Sequence, residues 1–358
     1  MMRCFLRPVK WKKLPQKKCR GDKKGMENTA LKSESNLERV LAEGDFALTV
    51  EVGPPMDCDA EVVLKKARLL KGCADAFNIT DNQTGVVRMS SIASAVLIMQ
   101  EGLEPIMQMT CRDRNRLAIQ SDILGASGLG IKNCLCIQGD HQSFGAAGKL
   151  KGHPGAKNVY DIDSIQLVSI LRGLRDDGIQ QGGDLLNKKP RLFIGAVWTP
   201  LGDPVEIRPL RLKKKIKAGA DFIQTQGVFD VEQFKSQMKI IEGMGLHEQT
   251  AILAGIIVPK SLGMLKYMNS SVAGVSVPES LITRMEQARL AGGDDKKQVS
   301  ANQAEEGIKI TVELIEQIRE IPGIRGVHVQ AIEWEHRVPE ILHRAGLIPR
   351  PVYSPKGE

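Results

Sequence analysis

Residues 46–55 read Phe46-Ala-Leu-Thr-Val-Glu51-Val-Gly-Pro-Pro55, an apolar strand with a carboxylate near its end and two prolines after it. The strand period of two sets Ala47, Thr49 and Glu51 on one side and Leu48 and Val50 on the other. A strand of this composition is expected to be buried. An ionisable group at its end is costly to desolvate unless it is paired or used. The prolines stop the strand, so Glu51 falls at its carboxyl end, where α/β folds build their sites.

Working outward from this stretch, strand-like and helix-like segments alternate. Strands are expected at 46–51, 74–80, 104–110, 132–138, 191–198, 221–226, 251–257 and 325–332. Leu167, Ile170, Leu171 and Leu174 follow the helical i, i+3, i+4, i+7 spacing, as Val231, Phe234 and Met238 do in part. Ser300 with Gln303 reads as a capping box opening a long helix through Ile308, Val312 and Ile315. Residues 145–158 and 292–304 are expected to be long loops. Eight strands, each followed by a helix, predict an α/β fold of the (β/α)₈ barrel type, a single catalytic domain over 37–352 with a short tail at 353–358. A doubly wound open sheet is the alternative, and the extra strand-like piece Val272-Ala-Gly-Val-Ser-Val277 leaves the strand count open by one.

The formal net charge of +8 suggests a nucleic-acid partner, but it is concentrated in a leader. Residues 1–25 hold ten Lys or Arg against one acid, and without them 40 basic and 41 acidic residues remain. The body is neutral, so no nucleic-acid partner is expected. The extension, taken as residues 1–36, lacks a secretory apolar core. It is expected to be disordered, and the polar stretch opened by Met26 favours sequence translated upstream of the true start. No apolar run is long enough to span a bilayer, so no membrane insertion is expected. Seven scattered cysteines without a Cys-x-x-Cys suit a reducing cytoplasm, with no disulfide framework and no metal site.

A barrel demands that polar chemistry cluster where strands end. After Glu51 come Thr80-Asp81-Asn82-Gln83, Gln108-Met-Thr110, Gln138-Gly139-Asp140, Trp198, Gln224-Thr225-Gln226, and then Gln330 and Glu333. Amides, hydroxyls and carboxylates around one mouth suit a large, polar, heteroaromatic ligand, because amides read donor and acceptor edges alike. Simpler roles stand beside these. Glu51 could pair with a lysine, Asp140 could cap a helix, and Gln226 could bond loop backbone. Asp230 reads as the N-cap of 231–243. The six histidines show no metal spacing and read mostly as surface or loop residues. Cys134 and Cys136 share a strand face and read as small inward-facing core residues. Gly125–Gly130 is no dinucleotide fingerprint and Gly145–Lys151 no Walker loop, though the latter could wrap a ligand phosphate with Lys149 or Lys151.

Together these segments resemble the methylenetetrahydrofolate reductase family of flavin-dependent barrels, over about residues 40–350. The matching pieces are Val50–Pro55, Ile79-Thr80, Met109-Thr-Cys111, Gln138-Gly-Asp140, Ala218-Gly-Ala-Asp221, Thr225-Gln226 with Phe229-Asp230, and Ala254-Gly-Ile256. The resemblance implies that Glu51 is the general acid protonating N10 of 5,10-methylenetetrahydrofolate, and that reduced flavin (FAD, or FMN) then delivers hydride to give 5-methyltetrahydrofolate. It implies that Asp140 lies beside flavin and folate, that Thr80, Gln108, Gln138, Gly139 and Tyr160 contact the cofactor, and that Gln226 binds the pterin edge.

The chain departs from the family at three places. Gln108 replaces a histidine, Gln138 an arginine, and Gly227-Val228 an aromatic run. The last puts NAD(P)H as direct donor in doubt. The pattern is similar to short forms from acetogenic and sulfate-reducing bacteria, which implies a partner subunit as electron source and an oligomer. Two other functions compete: a flavin-free pterin-binding methyltransferase barrel, and a non-catalytic barrel subunit of a larger redox complex.

Overall fold

In a computed structural model, residues 30–143 and 152–353 are described. The leader up to residue 29, the proposed phosphate-wrapping residues Lys149 and Lys151, and the tail from 354 lie outside these residues. Eight parallel strands, β1 (Ala47–Val52), β2 (Ala76–Ile79), β3 (Pro105–Thr110), β4 (Asn133–Ile137), β5 (Phe193–Trp198), β6 (Phe222–Gly227), β7 (Ala251–Ile257) and β8 (Ile324–Gln330), close in sequence order. Outside them lie α1 (Asn36–Ala42), α2 (Ala60–Leu70), α3 (Ser91–Gln100), α4 (Arg116–Gly128), α5 (Ser164–Arg172), α6 (Arg208–Ala218), α7 (Val231–Gly243), α8 (Leu262–Ser271), α9 (Glu279–Leu290), α10 (Lys296–Arg319) and α11 (Val338–Arg344). The closed barrel replaces the open-sheet alternative.

The period of two sorts each strand between lumen and helices. Ala47, Ala76, Ile106, Leu135, Phe193, Phe222 and Leu253 fill the base of the lumen. There the Phe193 and Phe222 rings stack with centroids 5.2 Å apart. Gly195 is required beside them, since a Cβ there would come within 2.3 Å of the Phe222 ring. Leu48, Val50, Met107, Met109, Ile194, Ile223 and Val327 pack outward against the helices. Cys134 and Cys136 belong to this outer layer, so they are core residues as expected but face the helices rather than the lumen.

Two expectations between β7 and β8 are corrected. Residues 272–277 are not a strand but the turn from α8 to α9, tied down where Val277 N–H donates to Asn269 Oδ1 at 2.9 Å. β7 already pairs with β8, so the barrel leaves no edge for another strand. The long helix begins at Lys296, capped by Asp295, whose carboxylate accepts from the N–H groups of Lys297 and Gln298. Ser300 and Gln303 therefore lie inside α10, and most of 292–304 is helix rather than loop. Gln303 instead holds the first turn of α8, accepting from Leu262 N–H at 2.9 Å. Asp230 does cap α7, accepting from Gln233 N–H at 3.0 Å.

The amino-terminal ends of the strands are stitched by saturated carboxylates. Asp75 accepts from Leu48 N–H at 2.7 Å and from Arg350 Nε and Nη2 at 3.0 and 2.6 Å. Glu104 accepts from the N–H groups of Asn36 and Leu37 and from Asn133 Nδ2. Burial raises the Glu104 pKa, and those donors oppose the rise. Asp221 binds Arg175, Lys32 and the Ile194 N–H.

Candidate functional site at the barrel mouth

At the carboxyl ends of the strands the lumen is polar. Midway up, Asn78 on β2 and Gln224 on β6 exchange side-chain hydrogen bonds of 2.7 and 3.0 Å. Gln224 Nε2 also donates to Thr49 Oγ1 at 3.0 Å, and Thr49 Oγ1 lies 2.9 Å from His328 Nδ1. The buried His328 ring is thereby anchored through Nδ1 to the Thr49–Gln224–Asn78 chain. Above it stands Glu51, its Oε2 3.9 Å from His328 Nε2 and its side chain only 12 % exposed. His328 is thus a lumen residue, not the surface or loop residue the sequence suggested. The alternation along Gly326–Gln330 carried the signal, for it puts His328 on the face of Gly326.

Among the described residues Glu51 forms no short ion pair and no lysine pairs with it: Lys66, the lysine lining the same cavity, pairs with Glu335 at 2.5 Å. A cavity of about 320 Å³ opens beside Glu51, lined by Pro54, Met56, Lys66, Arg88 and Glu333 among others.

The corner formed by β2, β3 and β4 gathers most of the expected cofactor residues. Thr80 is 2 % exposed, and its Oγ1 has no hydrogen-bond partner. Gly139 has φ +83°, and a Cβ there would approach Arg112 Cβ to 3.0 Å and Thr110 Cβ to 3.1 Å. The Tyr160 hydroxyl donates to Gly139 O at 3.0 Å. Asp140 sits at the rim, where desolvation by the surrounding protein raises its pKa and the Arg112 guanidinium and a Thr84 backbone N–H pull it down. Gln108 is buried and shares the lumen-facing parity of β3.

Three expected residues are placed differently. Gln138 turns outward, its Oε1 accepting from Ser164 N–H at the start of α5 at 3.0 Å. The Gln226 amide is engaged with loop backbone, accepting from Gly227 N–H at 3.1 Å and reaching Ala273 O at 3.5 Å. Trp198 leaves the mouth and packs against Phe234 in the helical layer. Cys111 is chemically quiet, because burial pushes its thiol up to about 12.

Backbone strain concentrates at this end. Asn82 (φ 46°), Thr84 (58°), Tyr160 (40°) and Glu333 (51°) all take left-handed conformations in loops that follow strands. Such residues persist where surrounding structure over-determines them, typically around sites. Among the described residues no group of three His, Cys, Asp or Glu could hold a metal, and no helix is long and apolar enough to cross a membrane.

The chain is 22 % identical over 324 residues to a protein of Caenorhabditis elegans named probable methylenetetrahydrofolate reductase (NADPH), covering 87 % of this chain and 44 % of that one. It is 27 % identical over 286 residues to methylenetetrahydrofolate reductase 2 of Schizosaccharomyces pombe, covering 76 % and 40 %. The chain thus spans less than half the length of these relatives. Among solved structures, a Clostridium thermocellum protein described as binding two copies of 5-methyl-5,6,7,8-tetrahydrofolic acid superposes with a TM-score of 0.54 at 15 % identity, covering 87 % of this chain and 99 % of that one. A sequence model of the family described as methylenetetrahydrofolate reductase matches residues 36–346, nearly the whole barrel, and the chain belongs to that family.

Proposed function

We propose that the barrel reduces 5,10-methylenetetrahydrofolate to 5-methyltetrahydrofolate with a bound flavin, FAD or FMN. The observation that carries this reading is Glu51: a shielded carboxyl at a strand end, without a short ion pair, above a buried imidazole. In this role Glu51 holds a proton for N10 of the folate, and protonation opens the five-membered ring to a cationic iminium. In the same reading Asp140, at the rim of the mouth, would stabilise that cation.

The residues present fit a flavin. The Thr80 hydroxyl offers a buried bond that no described protein group takes, and Gly139 lets the turn after β4 lie directly against Arg112 and Thr110, where a side chain would push it out of place. Thr80, Gln108, Gly139, Asp140 and Tyr160 would hold the ring system, and the flavin when bound supplies the hydride chemistry. Gln138 would contribute through its free amide nitrogen, and Gln226 would bind the pterin edge after exchanging its loop bonds. Electrons reach the site from NAD(P)H or from a partner subunit. The absence of aromatic residues at Gly227-Val228 favours the partner.

Anaerobic purification, identification of the flavin and assay of methylenetetrahydrofolate reduction with chemically reduced enzyme test this reading. A protein that takes up neither FAD nor FMN, yet moves a methyl group from a pterin, would replace it with the methyltransferase function.

A further inference from the structure

The cofactor corner is organised around a residue outside the expected set. Arg112 follows β3, is 3 % exposed, and spends its guanidinium on three loops at once. Nε and Nη2 form a two-pronged pair with Asp113, both bonds 2.7 Å. Nη1 donates to the backbone oxygen of Asp140, and Nη2 to that of Asn82, each at 3.0 Å. Its own backbone carbonyl accepts from Val159 N–H at 2.8 Å, next to Tyr160. The loops after β2, β3 and β4 thus meet on one side chain, and the segment before α5 on the backbone of the same residue. They are the segments that carry Thr80, Gly139, Asp140 and Tyr160.

A planar fork with five donors can join loops in this way, whereas an ammonium offers a point charge. The loops it joins include left-handed Asn82 and Tyr160 and glycine-dependent Gly139, conformations that need external support. No arginine stands at 138 to supply a guanidinium from β4.

We propose that Arg112 is a positioning residue for the flavin corner, fixing the carbonyl of Asp140, and so the aim of its carboxylate, relative to the cofactor. This inference rests on the flavin reading of the mouth.

The test uses the full-length protein and three variants, Arg112→Lys, Arg112→Met and Asp113→Asn, each checked for native far-ultraviolet circular dichroism. Flavin is removed and retitrated, and the visible circular dichroism of the bound flavin is recorded. The dissociation constant is expected to rise about tenfold in Arg112→Met, the scale of losing charge-assisted bonds at one site. The rise should be smaller in Arg112→Lys and Asp113→Asn, and the visible spectrum should change in all three. Arg112→Lys and Asp113→Asn carry the test if Arg112→Met does not fold. Flavin affinity within twofold of wild type and an unchanged visible spectrum in the folded variants would overturn the proposal while leaving the flavin reading intact. A wild-type protein that binds no flavin would end both, and the wild-type titration alone distinguishes that case.

Discussion

The two ends of the barrel treat their carboxylates in opposite ways. At the base, Asp75, Glu104 and Asp221 each collect three donors from the protein itself. At the mouth, Glu51 has the His328 imidazole 3.9 Å away, and the Thr80 hydroxyl has no hydrogen-bond partner among the described residues. Asp81, Asp113 and Glu335 are exceptions at the mouth: the first two serve Arg114, Arg112 and the loop backbone, and Glu335 pairs with Lys66. A saturated acid stabilises a fold, while an unsatisfied one costs stability and is retained for chemistry.

The largest expected effect that could break this contrast is at the mouth. Glu51→Gln should lower folate reduction about 10²- to 10⁴-fold, the range for loss of a general acid, while the protein still folds and binds flavin. Stopped-flow mixing of reduced enzyme with methylenetetrahydrofolate reads this directly, and a loss under tenfold would remove Glu51 from the chemistry. At the base, Asp75→Ala should cost about 3–5 kcal/mol in urea denaturation, because it strands the Arg350 guanidinium and the Leu48 N–H. Turnover per folded molecule should not change. If activity fell without loss of stability, the base would be part of the site and the contrast would fail.

Thr80→Val sharpens the comparison further. Removing an unpartnered buried hydroxyl should stabilise the flavin-free protein by about 1 kcal/mol and weaken flavin binding, a trade visible in paired melts with and without cofactor. The smallest effect concerns Lys215, whose amine lies against the carbonyl of Val197 near the mouth end of β5. Burial pulls its pKa down to about 8, below that of an unfolded lysine. Between those values the unfolded chain holds a proton that the native protein has released, so stability should rise with pH above about 8. Lys215→Met should remove that rise, a difference of about 1 kcal/mol between denaturation curves at pH 7.5 and 9.0.

The barrel was legible because buried parallel strands leave short apolar runs bounded by helices, and all eight expected strands overlap observed ones. Its errors came from local signals overruled by neighbours. Val272–Val277 has strand composition but no free edge to join. Ser300-Gln303 has the right spacing, but Asp295 lies five residues upstream and caps first. At the mouth, strand-end position located Glu51, Thr80 and Gly139, because the period of two and a turn fix where those residues go. It could not say that Gln138 would turn to α5, since one residue past a strand the parity is lost. Arg112 and the His328–Thr49–Gln224–Asn78 chain were missed because their meaning lies in contacts across 28 to 279 positions. No local spacing records such contacts.

The stacked phenylalanines at the base have a consequence for traffic. Phe193 and Phe222, with Ile106, Leu135 and Leu253 around them, leave the lumen with a floor. Whatever enters at the mouth must leave by the mouth. A barrel with one doorway has no back exit, so every molecule that uses the lumen crosses the same threshold.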